Sequence, residues 1–262
     1  MPTFQYLDPK DVDDVVAVLE QYGERARCIA GGTDVLVQFR GRRFELDALV
    51  DIKDVPEAME LRMDAETLYL GAGTPCHRIY ENSEISNAFP GIVDAASLIG
   101  GIQIQSRASL GGNLCNSSPS ADGICPLIVH SAIAVIAGPK GLRSMPVEQF
   151  CISPGKNALE NGEFLLRLEI PRPSENFGAA YQRFIPRNEM DIAVVGVAAS
   201  VVLEGNKVKS SRISLAAVAP TPLLVEESGS ALVGRQADEE AIESAAKAAQ
   251  AAIRPISDMR GT

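Results

Sequence analysis

Residues 30–35 read AGGTDV and residues 109–114 read SLGGNL. Each sets two glycines beside small hydroxyl residues. Each also follows a stretch that reads as a strand, ARCIA (26–30) before the first and IQIQSRAS (102–109) before the second. Side chains are nearly absent at both places, so anything held there must be held by backbone. A Gly-Gly pair lets the chain take positive φ and brings N–H groups close to a ligand. Consecutive amides pointing one way form a concavity suited to phosphate oxygens. One such pair is no more than a tight turn, but two can grip a diphosphate from both sides. A side chain at Gly32 or Gly112 is then expected to block the approach of the amides. Familiar cofactor loops do not fit: AGGTDVL lacks the G-x-G-x-x-G spacing, and no Gly-Lys-Ser/Thr occurs anywhere.

The second loop continues as SLGGNLCNSSPSAD (109–122), with Asn113, Asn116, Ser117, Ser118, Ser120 and Asp122 close together. Such a run is either a solvated loop or the lining for a ribityl or ribose chain, whose hydroxyls need paired donors and acceptors. Asp122 also stands where it could cap a helix starting near Gly123.

Outward from the first loop, TFQYL (3–7) reads as a strand. DVDDVVAVLEQYG (11–23) has Val12, Val15, Val16 and Leu19 at helical spacing and Gly23 as a stop. Thr33 and Asp34 are placed to cap a helix DVLVQFR (34–40), and LDALVDI (46–52) is a further strand, which makes a small β-α-β unit. TLYLGAG (67–73) is a strand, and SEISNAFPGIVDAASLIG (83–100) a helix interrupted at Pro90. SADGICPLIVHSAIAVIAG (120–138) passes from helix into strand at AIAVIAG, and FLLRLEIP (164–171) is a strand. From 191 to 220 the pattern is a hairpin, β-branched on both sides of Gly205-Asn206. DEEAIESAAKAAQAAI (238–253) is an alanine-rich helix with an acidic start matched to the helix dipole.

The 262 residues carry a net charge of −10, which argues against nonspecific binding to nucleic acid or anionic membranes. No apolar run approaches a membrane span, and MPTFQYLDPKD has no signal-peptide pattern, so a cytoplasmic protein is expected. Cys28, Cys76, Cys115, Cys125 and Cys151 are odd in number and form no Cys-x-x-Cys pair. They read as scattered reduced thiols, not as disulfides, a zinc site or an iron–sulfur cluster. His77 and His130 are far apart in sequence, and tryptophan is absent.

Taken in order, AGGTDVL (30–36), SLGGNLCNSSPSAD (109–122), SPGKNALENGEFLLRLEIP (153–171), YQRFIPRNEMDIAVVGVA (181–198) and RISLAAVAPTP (212–222) resemble the FAD-binding medium subunit of molybdenum hydroxylases, the xanthine dehydrogenase and aerobic carbon monoxide dehydrogenase family. The resemblance covers essentially the whole chain. It implies an α+β fold: a vanillyl-alcohol-oxidase-type FAD-binding domain of two α+β subdomains, residues 1–55 and 56–174, plus a C-terminal α+β domain, residues 175–262. It further implies that Cys28, Ile29, Ala30, Gly31, Gly32, Thr33, Asp34 and Val35 wrap the FAD pyrophosphate. Ser109, Leu110, Gly111, Gly112 and Asn113 approach from the other side, and Asp122 meets the ribityl or adjacent polar portion of FAD. Ile99 and Leu166 stand where the family places apolar cofactor contacts, and Arg183 where several members carry a lysine near the flavin. Without the family pattern Ile99 and Leu166 read as core residues, Arg183 as a strand-edge charge and Cys115 as a small buried filler.

The resemblance also implies partners: a small subunit with 2Fe-2S clusters and a large subunit with the molybdenum cofactor, commonly as a dimer of heterotrimers. Electrons would run from the clusters through FAD to an external acceptor. The chain has no nucleophile–base constellation of its own, in keeping with a division of labour in which the cofactor carries the chemistry. It lacks the cysteine-rich insertion that some relatives use for a 4Fe-4S cluster. It also stops at DMRGT (258–262), where the family usually continues. A stand-alone FAD-dependent oxidase or reductase of the same fold is the rival reading. A binding protein whose Gly-Gly pairs are turns is the third.

Overall fold

The computed structural model describes residues 4–187 and 190–257. The chain begins with β1 (Gln5–Leu7), α1 (Val12–Tyr22), β2 (Ala26–Ile29), α2 (Val35–Arg40) and β3 (Ala48–Asp51). β3 lies between β1 and β2 and runs parallel to both. Parallel neighbours need a crossover, which the two helices supply. α1 buries Val15, Val16 and Leu19 on one stripe, and Asp11 caps it by accepting from the Asp14 N–H at 2.8 Å. Gly23, at φ +53°, takes the chain out of the helix. Thr3 of the expected first strand lies outside the described residues.

Next come β4 (Leu61–Met63) and β5 (Thr67–Gly71), then six short helices: α3 (Cys76–Tyr80), α4 (Ser83–Ala88), α5 (Pro90–Leu98), α6 (Ile102–Gln105), α7 (Leu110–Asn116) and α8 (Ile124–Val129). β6 (Ile133–Gly138), β7 (Gly141–Pro146), a small ribbon of β8 (Cys151–Ser153) and β9 (Lys156–Asn157), and β10 (Phe164–Pro171) follow. The sheet order is β4-β5-β10-β6-β7, antiparallel throughout. The interruption expected at Pro90 is the α4–α5 junction: Pro90 opens α5, and Phe89 before it leaves helical geometry.

IQIQ, expected as strand, is α6 instead. A four-residue alternation is too short to fix the period. Gln105 decides it here: buried, it donates to the Ser97 carbonyl at 2.6 Å and accepts from the Tyr80 hydroxyl at 3.1 Å, while Ile102 is left 72% exposed.

β10 serves two cores. Its pairing with β6 slips between Leu165 and Arg167, so Leu166 is an extra residue in a β-bulge. Leu165, Leu168 and Ile170 thereby share the large core with Leu68, Phe89 and Ile128. Phe164 and Leu166 point the other way and pack with Val15, Leu19 and Val50 of the first unit.

The last part holds β11 (Phe177–Phe184), β12 (Val195–Glu204), β13 (Lys207–Ala216) and β14 (Leu223–Leu224), a four-stranded antiparallel sheet in that order, with α9 (Glu226–Ser230) and α10 (Glu239–Ala251) against it. The expected hairpin is β12–β13, turning at Gly205 (φ +63°) and Asn206. α10 starts at Asp238, whose carboxylate accepts from the Ala241 N–H at 2.9 Å.

α8 joins this sheet to the rest. All six of its residues are buried, with Pro126 in the first turn, where no intrahelical N–H bond is lost. Cys125 and Val129 pack with Tyr181, Ala198 and Ala216. The last carbonyls of a helix need outside donors. Arg212 Nε supplies one to Ile128 at 3.0 Å and Ser200 Oγ one to Val129 at 2.9 Å.

Candidate functional site

The first Gly-Gly pair follows β2 as expected and leads into α2. Gly32 has φ +74°, a conformation that favours glycine. Asp34 occupies the N-cap position of α2, yet its side chain makes no capping bond, and neither it nor Thr33 caps the helix. The reason is backbone geometry. At φ −103°, ψ −51° the residue is already helical, whereas a capping side chain needs an extended backbone to reach back. No acceptor among the described residues serves the N–H groups of Gly31, Gly32, Thr33, Asp34 and Val35. Cys28 and Ile29 are the last residues of β2, and burial pushes the Cys28 thiol up to about 12.

The second pair does not follow a strand. Gly111 and Gly112 lie in the first turn of α7, capped by Ser109, whose hydroxyl accepts from the Gly112 N–H at 3.0 Å. The hydroxyl before the glycines is the signal that separates a capped helix start from a hairpin turn. The N–H groups of Leu110 and Gly111 have no acceptor among the described residues. Asn113 accepts from the Gly123 N–H at 2.9 Å, which fixes the polar run between α7 and α8. Gly112 has no positive φ, and a Cβ there would meet only Ser109 Oγ, at 3.0 Å.

Backbone packing, not turn geometry, requires glycine at two of the four positions. A Cβ on Gly31 would lie 2.0 Å from the Arg107 carbonyl oxygen, and one on Gly111 would lie 2.5 Å from the Ala72 backbone. The two loops are therefore assembled against each other and against the turn after β5. Pro75 bridges to Ser109, and the Cys76 N–H donates to the Ala108 carbonyl at 2.8 Å. Gln38 of α2 donates to Asn116 of α7 at 2.6 Å, across 78 residues of chain.

Asp122 and Arg183 do meet. Arg183 Nη1 lies 2.6 Å from Asp122 Oδ2, and the Tyr181 hydroxyl donates to Oδ1 at 2.7 Å. Asp122 thus neither caps α8 nor stands free: both carboxylate oxygens are engaged from β11. Burial raises its pKa above the ordinary carboxylate range, opposed by the Tyr181 hydrogen bond and the Arg183 charge. Arg183 lies on the edge strand β11 but is not solvated: its side chain is 6% exposed, and its Nε has no partner among the described residues. Sequence reasoning passed over Tyr181, whose only signal was its place two residues before Arg183.

Ile99 and Leu166 are core residues on separate sides. Ile99 joins the large core just before Gly100, and Leu166 fills the first unit while its carbonyl accepts from the Ala72 N–H at 3.0 Å. The five cysteines are free thiols, and Cys115 is raised by burial. Among the described residues no group of histidines, cysteines and carboxylates could hold a metal ion, and no helix is long and apolar enough to cross a membrane.

Residues 2–173 match the FAD binding domain in molybdopterin dehydrogenase, and residues 179–262 match the CO dehydrogenase flavoprotein C-terminal domain. The chain is 33% identical over 260 residues to the carbon monoxide dehydrogenase medium chain of Hydrogenophaga pseudoflava, covering 99% of this chain and 90% of that one. It is 34% identical over 201 residues to the xanthine dehydrogenase FAD-binding subunit of Escherichia coli O157:H7, covering 76% and 69%. A solved carbon monoxide dehydrogenase from Hydrogenophaga pseudoflava, lacking the Mo-pyranopterin moiety of its molybdenum cofactor, superposes with a TM-score of 0.95 at 32% identity, over 100% of this chain and 91% of that chain. The chain belongs to the FAD-binding flavoprotein subunits of the molybdopterin dehydrogenases, and its fold is the α+β fold of that family.

Proposed function

We propose that this molybdopterin dehydrogenase flavoprotein is the electron-transfer subunit of a multi-subunit molybdenum hydroxylase, linking 2Fe-2S clusters of a partner subunit to an external acceptor. The observation that carries the reading is the run of unpartnered N–H groups from Gly31 to Val35, assembled beside those of Leu110 and Gly111. Unpaired backbone donors next to glycines suit the oxygens of a diphosphate and nothing apolar. The residues present fit FAD. Gly31, Gly32, Thr33, Asp34 and Val35 would hold the diphosphate from one side, and Leu110 and Gly111 from the other, with Ser109, Gly112 and Asn113 fixing that turn. Arg183 and Asp122 would hold the polar middle of the cofactor, with Ile99 and Leu166 as its apolar neighbours. Bound FAD supplies the redox chemistry, and the chain's own work is to hold and orient it and to shield it from water.

The boundaries 1–55, 56–174 and 175–262 for the three units, an assembly as a dimer of heterotrimers with a 2Fe-2S subunit and a molybdenum-cofactor subunit, and a cytoplasmic location belong to the same proposal. Protein purified under native conditions is expected to show flavin absorbance, about one FAD per chain, released by denaturation. Purification from the native host through a tag on this chain is expected to bring down two further chains with molybdenum and iron. A flavoprotein that emerges alone, metal-free, and turns over a small organic substrate unaided would establish the stand-alone oxidase instead.

A further inference from the structure

Beside the first loop lies a cleft of about 60 Å³, bounded by Ala30, Gly31, Gly73 and Pro75 and by two cationic residues, Lys53 and Arg107. Neither cation stood out in the sequence. Gly31 contributes an unpaired N–H, and its missing side chain is what lets the backbone of Arg107 lie against it. Arg107 is exposed, and no carboxylate or carbonyl of the described residues accepts from its guanidinium. Lys53 differs: its ammonium is 2.5 Å from Asp51 and 3.4 Å from the Ala30 carbonyl, so much of its charge is already offset. The protein as a whole carries −10, a field that opposes the entry of a dianionic ligand.

We infer that Arg107, seconded by Lys53 across the cleft, contacts the diphosphate of the bound dinucleotide, an inference that rests on the FAD reading above. Amides alone supply partial charges, and a guanidinium supplies a full one in a geometry that matches phosphate oxygens. An arginine with no partner among the described residues, held against the backbone of a residue whose own N–H has none there either, is placed for that task. Lys53, tied to Asp51, is expected to add less.

The test is FAD titration of the flavin-stripped full chain at two ionic strengths, with urea unfolding of the flavin-free chain alongside. Arg107→Met is expected to weaken FAD binding about tenfold, the usual loss for a hydrogen bond to a charged group, and to flatten the salt dependence. Lys53→Met should lose less, and Arg107→Lys, which keeps the charge but not the guanidinium geometry, should keep the salt dependence and only part of the affinity. Arg107→Gln serves as a second neutral variant, and the three Arg107 variants should unfold as the parent does, whereas Lys53→Met also takes a partner from buried Asp51. If Arg107→Met and Arg107→Gln bind FAD with the parent's affinity and salt dependence, the inference falls and the FAD reading stands. If both lose affinity only in proportion to a loss of stability, the arginine is structural and the inference falls as well. A parent chain with no affinity for FAD overturns both.

Discussion

Arg183 and Asp122 form a buried ion pair at 2.6 Å although 61 residues of chain separate them, and the contact ties β11 to the loop between α7 and α8. Removing one partner leaves the other desolvated, which is more damaging than removing both. Arg183→Met is expected to cost about 3 kcal/mol in urea unfolding at neutral pH. Arg183→Met combined with Asp122→Asn should recover part of that. Tyr181→Phe, which deletes one hydrogen bond to the same carboxylate, should cost about 1–2 kcal/mol.

Substitutions at the four loop glycines should not be equivalent. Gly31→Ala and Gly111→Ala place a Cβ inside another segment's backbone, so each is expected to lose about 1–3 kcal/mol and to release flavin. Gly112→Ala meets only the Ser109 hydroxyl and should fold and keep FAD. Gly32→Ala falls between, strained by its positive φ. Thermal unfolding with flavin absorbance separates the four.

Two aspartates at helix starts offer a matched comparison. Asp238 caps α10, and Asp238→Ala should cost about 1 kcal/mol. Asp34 makes no cap bond, so Asp34→Ala should change stability by less than about 0.5 kcal/mol. Equal losses in chemical denaturation would show that Asp34 caps α2 in solution.

His130 sits between Phe89 and Phe177, 5.5 and 5.0 Å between ring centres, with neither ring nitrogen hydrogen-bonded among the described residues. Burial lowers its pKa to about 4, against about 6.5 in an unfolded chain. Between those values the unfolded chain binds the extra proton. Stability is therefore lost as pH falls from about 6.5 towards 4, by up to ~1.4 kcal/mol per pH unit. His130→Phe should match the parent at pH 7 and be the more stable of the two at pH 4.5 by urea unfolding. A parallel decline of both proteins would assign the acid loss to other groups.

Much of the fold was legible where pattern and punctuation agreed. α1 carries its apolar stripe between Asp11 and Gly23, the α4–α5 break follows from Pro90, and the β12–β13 hairpin follows from its Gly-Asn turn. The misreadings were local. IQIQ alternates like a strand, but a buried glutamine side chain, not a backbone ladder, organises it. SLGGNL was read as a break after that strand, although Ser109 marks a helix start. In the candidate site, the loops themselves were visible as glycine pairs. What could not be read is which glycines are indispensable, because that depends on Arg107 and Ala72, residues brought up by folding. The engagement of Asp122 by Tyr181 was hidden for the same reason.

The bulge at Leu166 has a bearing on how the chain is made. The apolar stripe of α1 is completed by Ala137, Phe164 and Leu166, contributed from far downstream. A nascent chain that has emerged only as far as β3 has a small parallel sheet whose core is unfinished, and contacts at such sequence separation are slow to close. The N-terminal unit is expected to stay protease-sensitive on the ribosome until β10 has been synthesised, and then to order together with the central sheet in one cooperative step.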